Sequence, residues 1–291
     1  MRSWRLWADL VKIRICAAAS LSSLAVFVLA AHGLDRRAAL LGSGVFVLAC
    51  GACALNEYQE RDLDRLMRRT QHRPLPSGRL SPGQALTTAF VFLLIGFALV
   101  FKAAGLMGSV LAAAAVAWYI AVYTPLKRVT PFAVVPGALV GVVPPILGWL
   151  SAGRPWQDPR LVALCFFFYL WQVPHFWLLV PSQSADLGRA GFPHLAEVFG
   201  PIRLARLTAV WMSMVAASVL LLPLFGVVGS TTTCLLLFVA SVWLTGQAVR
   251  LLRHAQAADS FRVAFVHLNA FVLVVLVLLG SAFWGQALSF E

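Results

Sequence analysis

Long apolar segments, each close to the length that crosses a lipid bilayer, follow one another along almost the whole chain. A membrane-spanning helix needs about 20 mainly apolar residues, and 60% of this chain is hydrophobic while only 12% is charged. We therefore predict an all-α, polytopic membrane protein in which residues 1–291 form one integral membrane domain with about nine transmembrane helices. The predicted segments are 15–32, 38–56, 84–104, 107–124, 133–150, 161–180, 207–226, 230–250 and 264–287.

The basic residues are distributed unevenly between alternate loops, and this distribution predicts the orientation. If the N-terminus is cytoplasmic, 18 of the 23 lysines and arginines fall on the inner side and five on the outer side. Positive charge is enriched in the cytoplasmic loops of membrane proteins. We expect a multi-pass protein of the cell inner (cytoplasmic) membrane, with its longest polar loops at 57–83, 181–206 and 251–263 on the cytoplasmic side. The first apolar run has no small-residue cleavage site, so no cleavable signal peptide is expected.

The net charge of +12 has the sign expected of a nucleic-acid-binding protein. The same bias toward basic inner loops explains it, so the expected partner is the lipid bilayer and no nucleic acid is expected. The five cysteines all lie in or beside apolar segments. Cys50 and Cys53 form a C-x-x-C without a second pair, which is a weak indication of a metal site, and we interpret the cysteines as small buried apolar residues.

An acidic motif stands at the end of the second apolar segment. It reads Asn56-Glu57-Tyr58-Gln59-Glu60-Arg61-Asp62-Leu63-Asp64. Asn56, Glu60 and Asp64 recur every fourth residue, so on a helix they share one face, each about 40° from the last. Asp62 points elsewhere unless the helix unwinds. Oxygen-bearing side chains on one face suit Mg²⁺, and the arginines that follow suit a diphosphate. The motif therefore predicts a metal–diphosphate site that faces the cytoplasm.

A solvated helix held together by surface ion pairs is the competing interpretation of this motif. Acidic and basic residues often alternate in exposed loops, and such pairs contribute little to stability. By spacing alone the two interpretations are about equally good. Glu60 and Asp64 repel each other on one face, however, and a bound cation relieves that repulsion.

The residues that follow the motif make it similar to a known family. Asn56, Glu60, Asp62 and Asp64 are continued by Met67-x-Arg69-Thr70-x-x-Arg73-Pro74-Leu75-x-x-Gly78. This arrangement resembles the first aspartate-rich motif of the UbiA superfamily of membrane prenyltransferases, and more narrowly that of the branch that farnesylates haem. The stretch that begins at Met67 is much more specific than the acidic residues alone.

Three further stretches are similar to the same branch and occur in the same order. They are Tyr123-Thr124-Pro125-Leu126-Lys127-Arg128, Pro144-Pro145-Ile146-Leu147-Gly148-Trp149 and Trp171-Gln172-Val173-Pro174-His175-Phe176. Lys12-Ile13-Arg14 resembles the family's first basic segment, and Asp186 lies at the expected distance in a later polar loop. The resemblance covers residues 10 to about 200, whereas the last three segments match only in being hydrophobic.

The resemblance implies a UbiA-type helical bundle that transfers a farnesyl group from farnesyl diphosphate to a vinyl group of haem b, giving haem O. It implies contact with haem A synthase or with the assembly of a terminal oxidase. The implied catalytic residues are Asn56, Glu60, Asp64, Asp186 and His175, and the first four of these hold Mg²⁺. The implied diphosphate-binding residues are Arg14, Arg61, Arg73, Lys127 and Arg128.

His175 is an ionisable residue inside an apolar segment, which by itself indicates a functional role. Three roles stay open from the sequence: binding haem, orienting a water, or bonding a backbone carbonyl that Pro174 leaves free. His267 and Asn269 lie in the last segment, and we expect them to link neighbouring helices.

Several positions depart from the pattern of the branch. Glu60 stands in place of Asp, Ile13 in place of Pro and Ala133 in place of Asn, while residues 182–187 lack two basic groups and a phenol. These departures leave open a UbiA-type transferase acting on a phenolic or quinone precursor, and a non-catalytic assembly factor. A transporter would show inverted repeats with charges near the bilayer midplane, whereas here the charges cluster at one side.

Overall fold

The fold is entirely helical within the part of the chain that the structure, a computed structural model, describes: residues 3–257 and 259–287. The helices are α1 (Ser3–Leu10), α2 (Ile13–Ala31), α3 (Arg36–Asp64), α4 (Pro82–Ala117), α5 (Thr124–Leu126), α6 (Val134–Gly137), α7 (Val143–Ser151), α8 (Pro159–Trp177), α9 (Val180–Arg189), α10 (Leu195–Leu224), α11 (Thr231–Arg253) and α12 (Ser260–Ala287). A π-helical turn, Trp118–Tyr123, joins α4 to α5, and a 3-10 turn, Ala138–Val142, joins α6 to α7. The predicted all-α class is confirmed.

Among the described residues, seven helical stretches are long and apolar enough to cross a membrane, and the bent pair α8 and α9 makes up to eight. One of the seven, Pro82–Leu126, is 45 residues long. At 1.5 Å per residue it would measure roughly 68 Å, about twice the hydrocarbon thickness of a bilayer. Gly105 interrupts it with φ 66° and ψ −163°. The two arms on either side of Gly105 correspond to the predicted segments 84–104 and 107–124.

The chain divides into two compact units. The first consists of Met1–Arg154 and Ala185–Pro193, and the second of Pro155–Ser184 and His194–Glu291. In the first unit, Phe27, Leu41, Val100 and Leu147 belong to one buried apolar cluster from α2, α3, α4 and α7. A second cluster lies near the acidic motif and contains Leu10, Ala54, Leu75, Leu80, Ala85 and Ala89.

Glycines allow the helices of the first unit to approach closely where they cross. A Cβ on Gly96 would lie 2.6 Å from the Cα and backbone N of Leu48, where α4 crosses α3. A Cβ on Gly148 would lie 2.2 Å from the carbonyl oxygen of Ser23, where α7 crosses α2. Small residues at such crossings are a common device in membrane proteins, because lipid chains provide no hydrophobic force that drives helices together. The Gly96 crossing fixes α3, which carries the acidic motif, against α4.

The cysteines agree only partly with the prediction that all of them are buried. Cys16, Cys50 and Cys53 are buried, and they share an apolar cluster with Val11. Cys165 and Cys234 are only half-buried, so the prediction is wrong for these two. All five are free thiols among the described residues.

The Gly96 crossing can be tested by adding one methyl group. We expect Gly96→Ala to destabilise the protein by about 1–3 kcal/mol, because the new Cβ meets backbone atoms that cannot move aside. Thermal unfolding of the purified protein in detergent measures the effect. Gly246→Ala is the matched control, because nothing lies within 4 Å of its added Cβ. Equal unfolding temperatures for the two variants would contradict the assignment of a tight crossing.

Candidate active site

The acidic motif forms the last turns of α3, which remains helical to Asp64. Asn56 is 1% exposed, Glu60 6% and Asp64 1%, so the face predicted from the four-residue spacing is a buried one. Asp62 points away from it, with a side chain that is 69% exposed and pairs with Arg61 and Arg65. The helix therefore presents three oxygen-bearing side chains to the interior of the first unit and excludes Asp62 from that face.

Each of the three side chains on this face meets a basic group. Asp64 Oδ2 accepts a hydrogen bond of 2.7 Å from Arg73. Glu60 Oε1 forms an ion pair with Lys127 Nζ. Asn56 Oδ1 accepts a hydrogen bond of 2.7 Å from Lys12 Nζ. Buried carboxylates are costly without a partner, and these contacts neutralise Glu60 and Asp64.

Thr124 fixes which way the Asn56 amide faces. The Thr124 hydroxyl donates to the carbonyl of Tyr119 at 2.8 Å. Its oxygen accepts from Asn56 Nδ2 at 3.0 Å. Because the amide nitrogen is used there, the amide oxygen is the atom presented to Lys12. Thr124 follows a π-helical turn, Trp118–Tyr123, and such turns are frequent at functional sites.

Lys127 lies between a carboxylate and an aromatic face. Its Nζ is paired with Glu60 and is 5.4 Å from the centre of the Tyr123 ring. Burial lowers the pKa of the Lys127 ammonium below its usual range, and the Glu60 carboxylate opposes that shift. Tyr123 in turn stacks on Tyr119 with ring centres 5.9 Å apart. The position of the ammonium is thus set by both the loop after α5 and the end of α3.

The contacts made by the loop after α3 give a structural reason for the residue types found between Met67 and Leu75. Thr70 Oγ1 donates to the carbonyl of Asp64 at 2.9 Å, which caps the helix end. Arg73 returns to the Asp64 carboxylate. The backbone N–H of Leu75 donates to Glu57 Oε1 at 3.4 Å, and the Leu75 side chain packs into the cluster beneath the motif. Thr70, Arg73 and Leu75 of this stretch therefore hold the loop against the end of α3.

Glu57 and Lys12 are site residues that the sequence analysis missed. Glu57 is fully buried, and its Oε2 has no hydrogen-bond partner among the described residues. A signal was present, because Glu57 lies two helical turns before Asp64 and points within about 20° of it. Lys12 was noted only as part of a basic segment that resembles the family's, and its separation of 44 residues from Asn56 gave no indication that the two side chains meet.

Asp186 attaches the start of the second polar loop to the loop after α3. Its two carboxylate oxygens accept hydrogen bonds from the backbone N–H groups of Arg68 at 3.0 Å and Arg69 at 3.1 Å. Arg189 approaches Oδ1 at 3.2 Å. Met67 packs in one apolar cluster with Leu63, Leu187, Ala190 and Phe192. The two loops are therefore in contact, and Asp186, which was predicted as a metal ligand, serves as the anchor between them in this arrangement.

Two of the remaining predicted diphosphate ligands, Arg61 and Arg128, bond to backbone carbonyls, and the third, Arg14, is exposed. Arg61 donates to the carbonyl of Tyr58 at 2.8 Å and lies 4.4 Å from the centre of the Tyr58 ring. Arg128 donates to the carbonyl of Gln59 at 3.1 Å. Arg14 is exposed near the start of α2. Of the predicted basic residues, the structure thus brings Arg73 and Lys127 to the acidic face, together with Lys12.

His175 belongs to the second unit, on α8. Its Nδ1 is 2.8 Å from Asn269 Oδ1, and Asn269 Nδ2 donates to the carbonyl of Phe265 at 2.7 Å. Since the Asn269 oxygen accepts, Nδ1 carries the proton and Nε2 keeps the lone pair. Asn269 therefore links α8 and α12, as predicted. Of the three roles that the sequence left open for His175, the bond to a backbone carbonyl is replaced by this side-chain bond. His267 packs on Trp243, with ring centres 5.3 Å apart.

The donor types on the acidic face fit Mg²⁺, which prefers carboxylate and amide oxygens. Glu60, Asp64 and Asn56 supply such oxygens from one buried face. The basic partners of all three occupy the positions next to these oxygens, and within residues 3–257 and 259–287 no three His, Cys, Asp or Glu side chains are grouped as a metal site. The basic side chains hold one oxygen of each donor residue, namely Asn56 Oδ1, Glu60 Oε1 and Asp64 Oδ2.

The anchoring role of Asp186 predicts a local effect of its removal. In Asp186→Ala the loop after α3 loses two hydrogen bonds to its backbone, so trypsin should cleave at Arg68 and Arg69 several times faster than in the wild type. Limited proteolysis followed by mass spectrometry measures the rate. Asp62→Ala removes an exposed carboxylate nearby and should leave the rate unchanged. Equal rates for both variants would contradict the role of anchor.

Comparison with known proteins assigns the chain to a class. Residues 19–272 match the model of the UbiA prenyltransferase family. The chain belongs to this family, and the resemblance seen in the sequence is confirmed.

Two relatives make the similarity more specific. The protoheme IX farnesyltransferase of Geobacter sulfurreducens is 49% identical over 185 residues, which are 63% of this chain and 68% of that protein. The protoheme IX farnesyltransferase of Oleidesulfovibrio alaskensis is 34% identical over 270 residues, which are 93% of this chain and 94% of that protein.

Solved structures share the fold. A digeranylgeranylglyceryl phosphate synthase matches with a TM-score of 0.79 at 14% identity, over 97% of this chain and 99% of that one. A UbiA homolog from Archaeoglobus fulgidus bound to GPP and Mg²⁺ matches with a TM-score of 0.71 at 15% identity, over 96% of this chain and 98% of that one. The predicted UbiA-type bundle is confirmed.

Proposed function

We propose that this protein transfers a farnesyl group from farnesyl diphosphate to a vinyl group of protoheme IX (haem b), giving haem O. The observation that carries the proposal is the buried face of α3, on which the carboxylates of Glu60 and Asp64 and the amide of Asn56 each meet a basic group. A diphosphate requires basic groups and its metal ion requires oxygen ligands, and this face provides both. The relatives named protoheme IX farnesyltransferase support haem as the acceptor.

The first step is cleavage of the bond between the allylic carbon and the diphosphate oxygen. Lys127, Arg73 and Lys12 stabilise the negative charge that grows on the diphosphate. When bound, Mg²⁺ would add positive charge at the same place, and its proposed ligands are Asn56, Glu60, Asp64 and Asp186. Arg14, Arg61 and Arg128 complete the proposed basic surroundings of the diphosphate.

The second step forms the carbon–carbon bond. The vinyl group of haem gives its electron pair to the allylic cation, and positive charge moves to the carbon next to the porphyrin ring. Water adds to that carbon and releases one proton, which leaves a hydroxyethylfarnesyl side chain. We also propose His175 as a catalytic residue, because its Nε2 lone pair is available to accept a proton. A water-poor apolar environment protects the cation from early capture.

Product analysis tests the reaction. Purified protein incubated with protoheme IX, farnesyl diphosphate and Mg²⁺ should yield haem O, identified by mass spectrometry. Parallel incubations replace protoheme IX by a phenolic acid or farnesyl diphosphate by geranyl diphosphate. Prenylation of the phenol without any farnesylated haem would establish the phenolic alternative. No product from any combination would indicate a non-catalytic assembly factor.

The burial of one face of α3 predicts which carboxylate of the motif is required for activity. Asp64→Asn keeps the size of the side chain but removes its charge, and we expect the rate of haem O formation to fall by about 100-fold or more. Asp62→Asn is the matched control two residues away, and its rate should stay close to that of the wild type because its side chain is exposed. Similar rates in the two variants would remove Asp64 from the active site.

The protein is a multi-pass membrane protein, and we propose one membrane domain in the cell inner membrane with a cytoplasmic N-terminus and active site. We further propose that haem O is passed to haem A synthase or to the assembly of a terminal oxidase. The distribution of basic residues supports this orientation.

The orientation predicts the accessibility of the loops in intact cells. A maleimide that cannot cross membranes should label Leu34→Cys directly and Ser77→Cys only after lysis, since both positions are exposed and lie in opposite sets of loops. Gel shift of the labelled protein measures this. The reverse pattern would invert the topology.

A further inference from the structure

A buried hydrogen-bond donor lies one helical turn before His175. It is the indole Nε1–H of Trp171, and no described residue accepts a hydrogen bond from it. An indole nitrogen can only donate, and a buried donor that lacks an acceptor is costly. The position of this atom therefore indicates that a small acceptor binds beside Trp171.

Trp171 and His175 lie side by side on α8. They are four residues apart in the helix, which places them on one face. Their ring centres are 5.3 Å apart, and the ring planes meet at 64°. A hydrogen bond to a water oxygen is about 2.7–3.2 Å long, so one water molecule is large enough to bridge two rings at this separation.

The hydrogen bonds of His175 leave an acceptor for such a water. Its Nδ1 is 2.8 Å from Asn269 Oδ1. Asn269 Nδ2 donates to the carbonyl of Phe265 at 2.7 Å, so the amide oxygen is the atom that faces His175. Nδ1 therefore carries the ring proton, and Nε2 is the nitrogen that accepts.

Pro174 provides a second acceptor on the same stretch of α8. Proline has no N–H, so the carbonyl of Leu170, four residues earlier, lacks its usual helical donor. Leu170 is only 2% exposed. A buried water makes roughly three hydrogen bonds. The N–H of Trp171, the Leu170 carbonyl and His175 Nε2 offer one donor and two acceptors, which match the oxygen and the two hydrogens of one water.

Apolar rings surround His175 on other sides. Its ring centre is 5.3 Å from that of Phe176 and 5.0 Å from that of Phe265. The faces of such rings stabilise a neighbouring cation but give water nothing to accept a strong hydrogen bond from. A water that reacts here therefore has to be held by the few polar groups of α8.

We propose that Trp171 and His175 hold the water that adds to the farnesylated haem, with Trp171 as its positioning residue. The inference rests on the proposed function and names the groups that determine how the cation is consumed. The Trp171 N–H donates to the water oxygen. As that oxygen forms its bond to the cationic carbon beside the porphyrin ring, its proton passes to His175 Nε2, and the electrons of the O–H bond stay on oxygen.

The same cation has a second outcome, which the held water prevents. If a base removes a proton from the neighbouring CH₂ group, the electrons of that C–H bond form a carbon–carbon double bond. The product is then a farnesylated haem that contains one water less than haem O. Without a water in between, His175 Nε2 is free to take this proton directly, so loss of the water favours elimination over addition.

The ratio of the two products tests the inference. The purified protein is incubated with protoheme IX, farnesyl diphosphate and Mg²⁺, and mass spectrometry measures haem O and the product that is lighter by one water. Trp171→Phe keeps an aromatic ring but removes the N–H. We expect the ratio of the lighter product to haem O to rise by about fivefold or more, the size expected from the loss of one hydrogen bond. The ratio does not depend on how much of the variant is folded.

Trp243→Phe is the matched control. Trp243 packs on His267 with ring centres that are also 5.3 Å apart, and both residues belong to the second unit. Its indole nitrogen is not among the buried atoms that lack a partner in the described part of the chain. The product ratio of this variant should equal that of the wild type.

Asn269→Leu tests the same water through its other partner. It removes the acceptor that keeps the proton on Nδ1 of His175, so Nε2 is no longer reserved as the acceptor. The share of the lighter product should rise again, although Trp171 is unchanged. This variant also provides the test if Trp171→Phe does not fold.

The inference is overturned if Trp171→Phe gives the product ratio of the wild type, or if Trp243→Phe raises the ratio by the same factor. Where Trp171→Phe does not fold, an unchanged ratio in Asn269→Leu has the same meaning. The sum of both products in the wild type tests farnesyl transfer itself. Its absence would contradict the proposed function, whereas an unchanged ratio contradicts only the held water.

Discussion

The pairing of buried carboxylates with basic side chains at the end of α3 is the interaction on which the first unit depends. A carboxylate such as Asp64 cannot stay charged in an apolar interior without a partner. Its partner Arg73 belongs to the loop after α3, which Thr70 and Leu75 also hold against the helix. The same contact thus positions the loop and keeps charged side chains at the site of the proposed chemistry. The same residues therefore contribute to both stability and function.

The helix crossings make this pairing possible. Close backbone contact at Gly96 fixes α3 against α4, and contact at Gly148 fixes α7 against α2. The π-helical turn before Thr124 shifts the register of the helix that follows. Together they bring Thr124 and Lys127 beside residues that are far away along the chain. Packing between the apolar helices of the first unit therefore determines which polar side chains come into contact.

Local periodicity was sufficient to predict the helices and the shared face of Asn56, Glu60 and Asp64, because both follow from the geometry of one helix. The partners of that face could not be predicted in this way. Lys12 and Thr124 lie 44 and 68 residues from Asn56, and their contacts arise from packing between helices. Similarity of sequence singled out Lys127 and Arg73, which contact Glu60 and Asp64, together with Arg61 and Arg128, which contact backbone carbonyls. Glu57 was not predicted as a site residue, although its spacing from Asp64 places the two side chains on nearly the same side of the helix.

Asp186 binds backbone N–H groups and does not rely on the side chains of Arg68 and Arg69. Every residue except proline offers such a group, whatever its side chain. The attachment between the two loops is therefore independent of most of their sequence. The second polar loop therefore stays joined to the first although it lacks two basic groups and a phenol. Its side chains are free to vary with the molecules that the loop contacts.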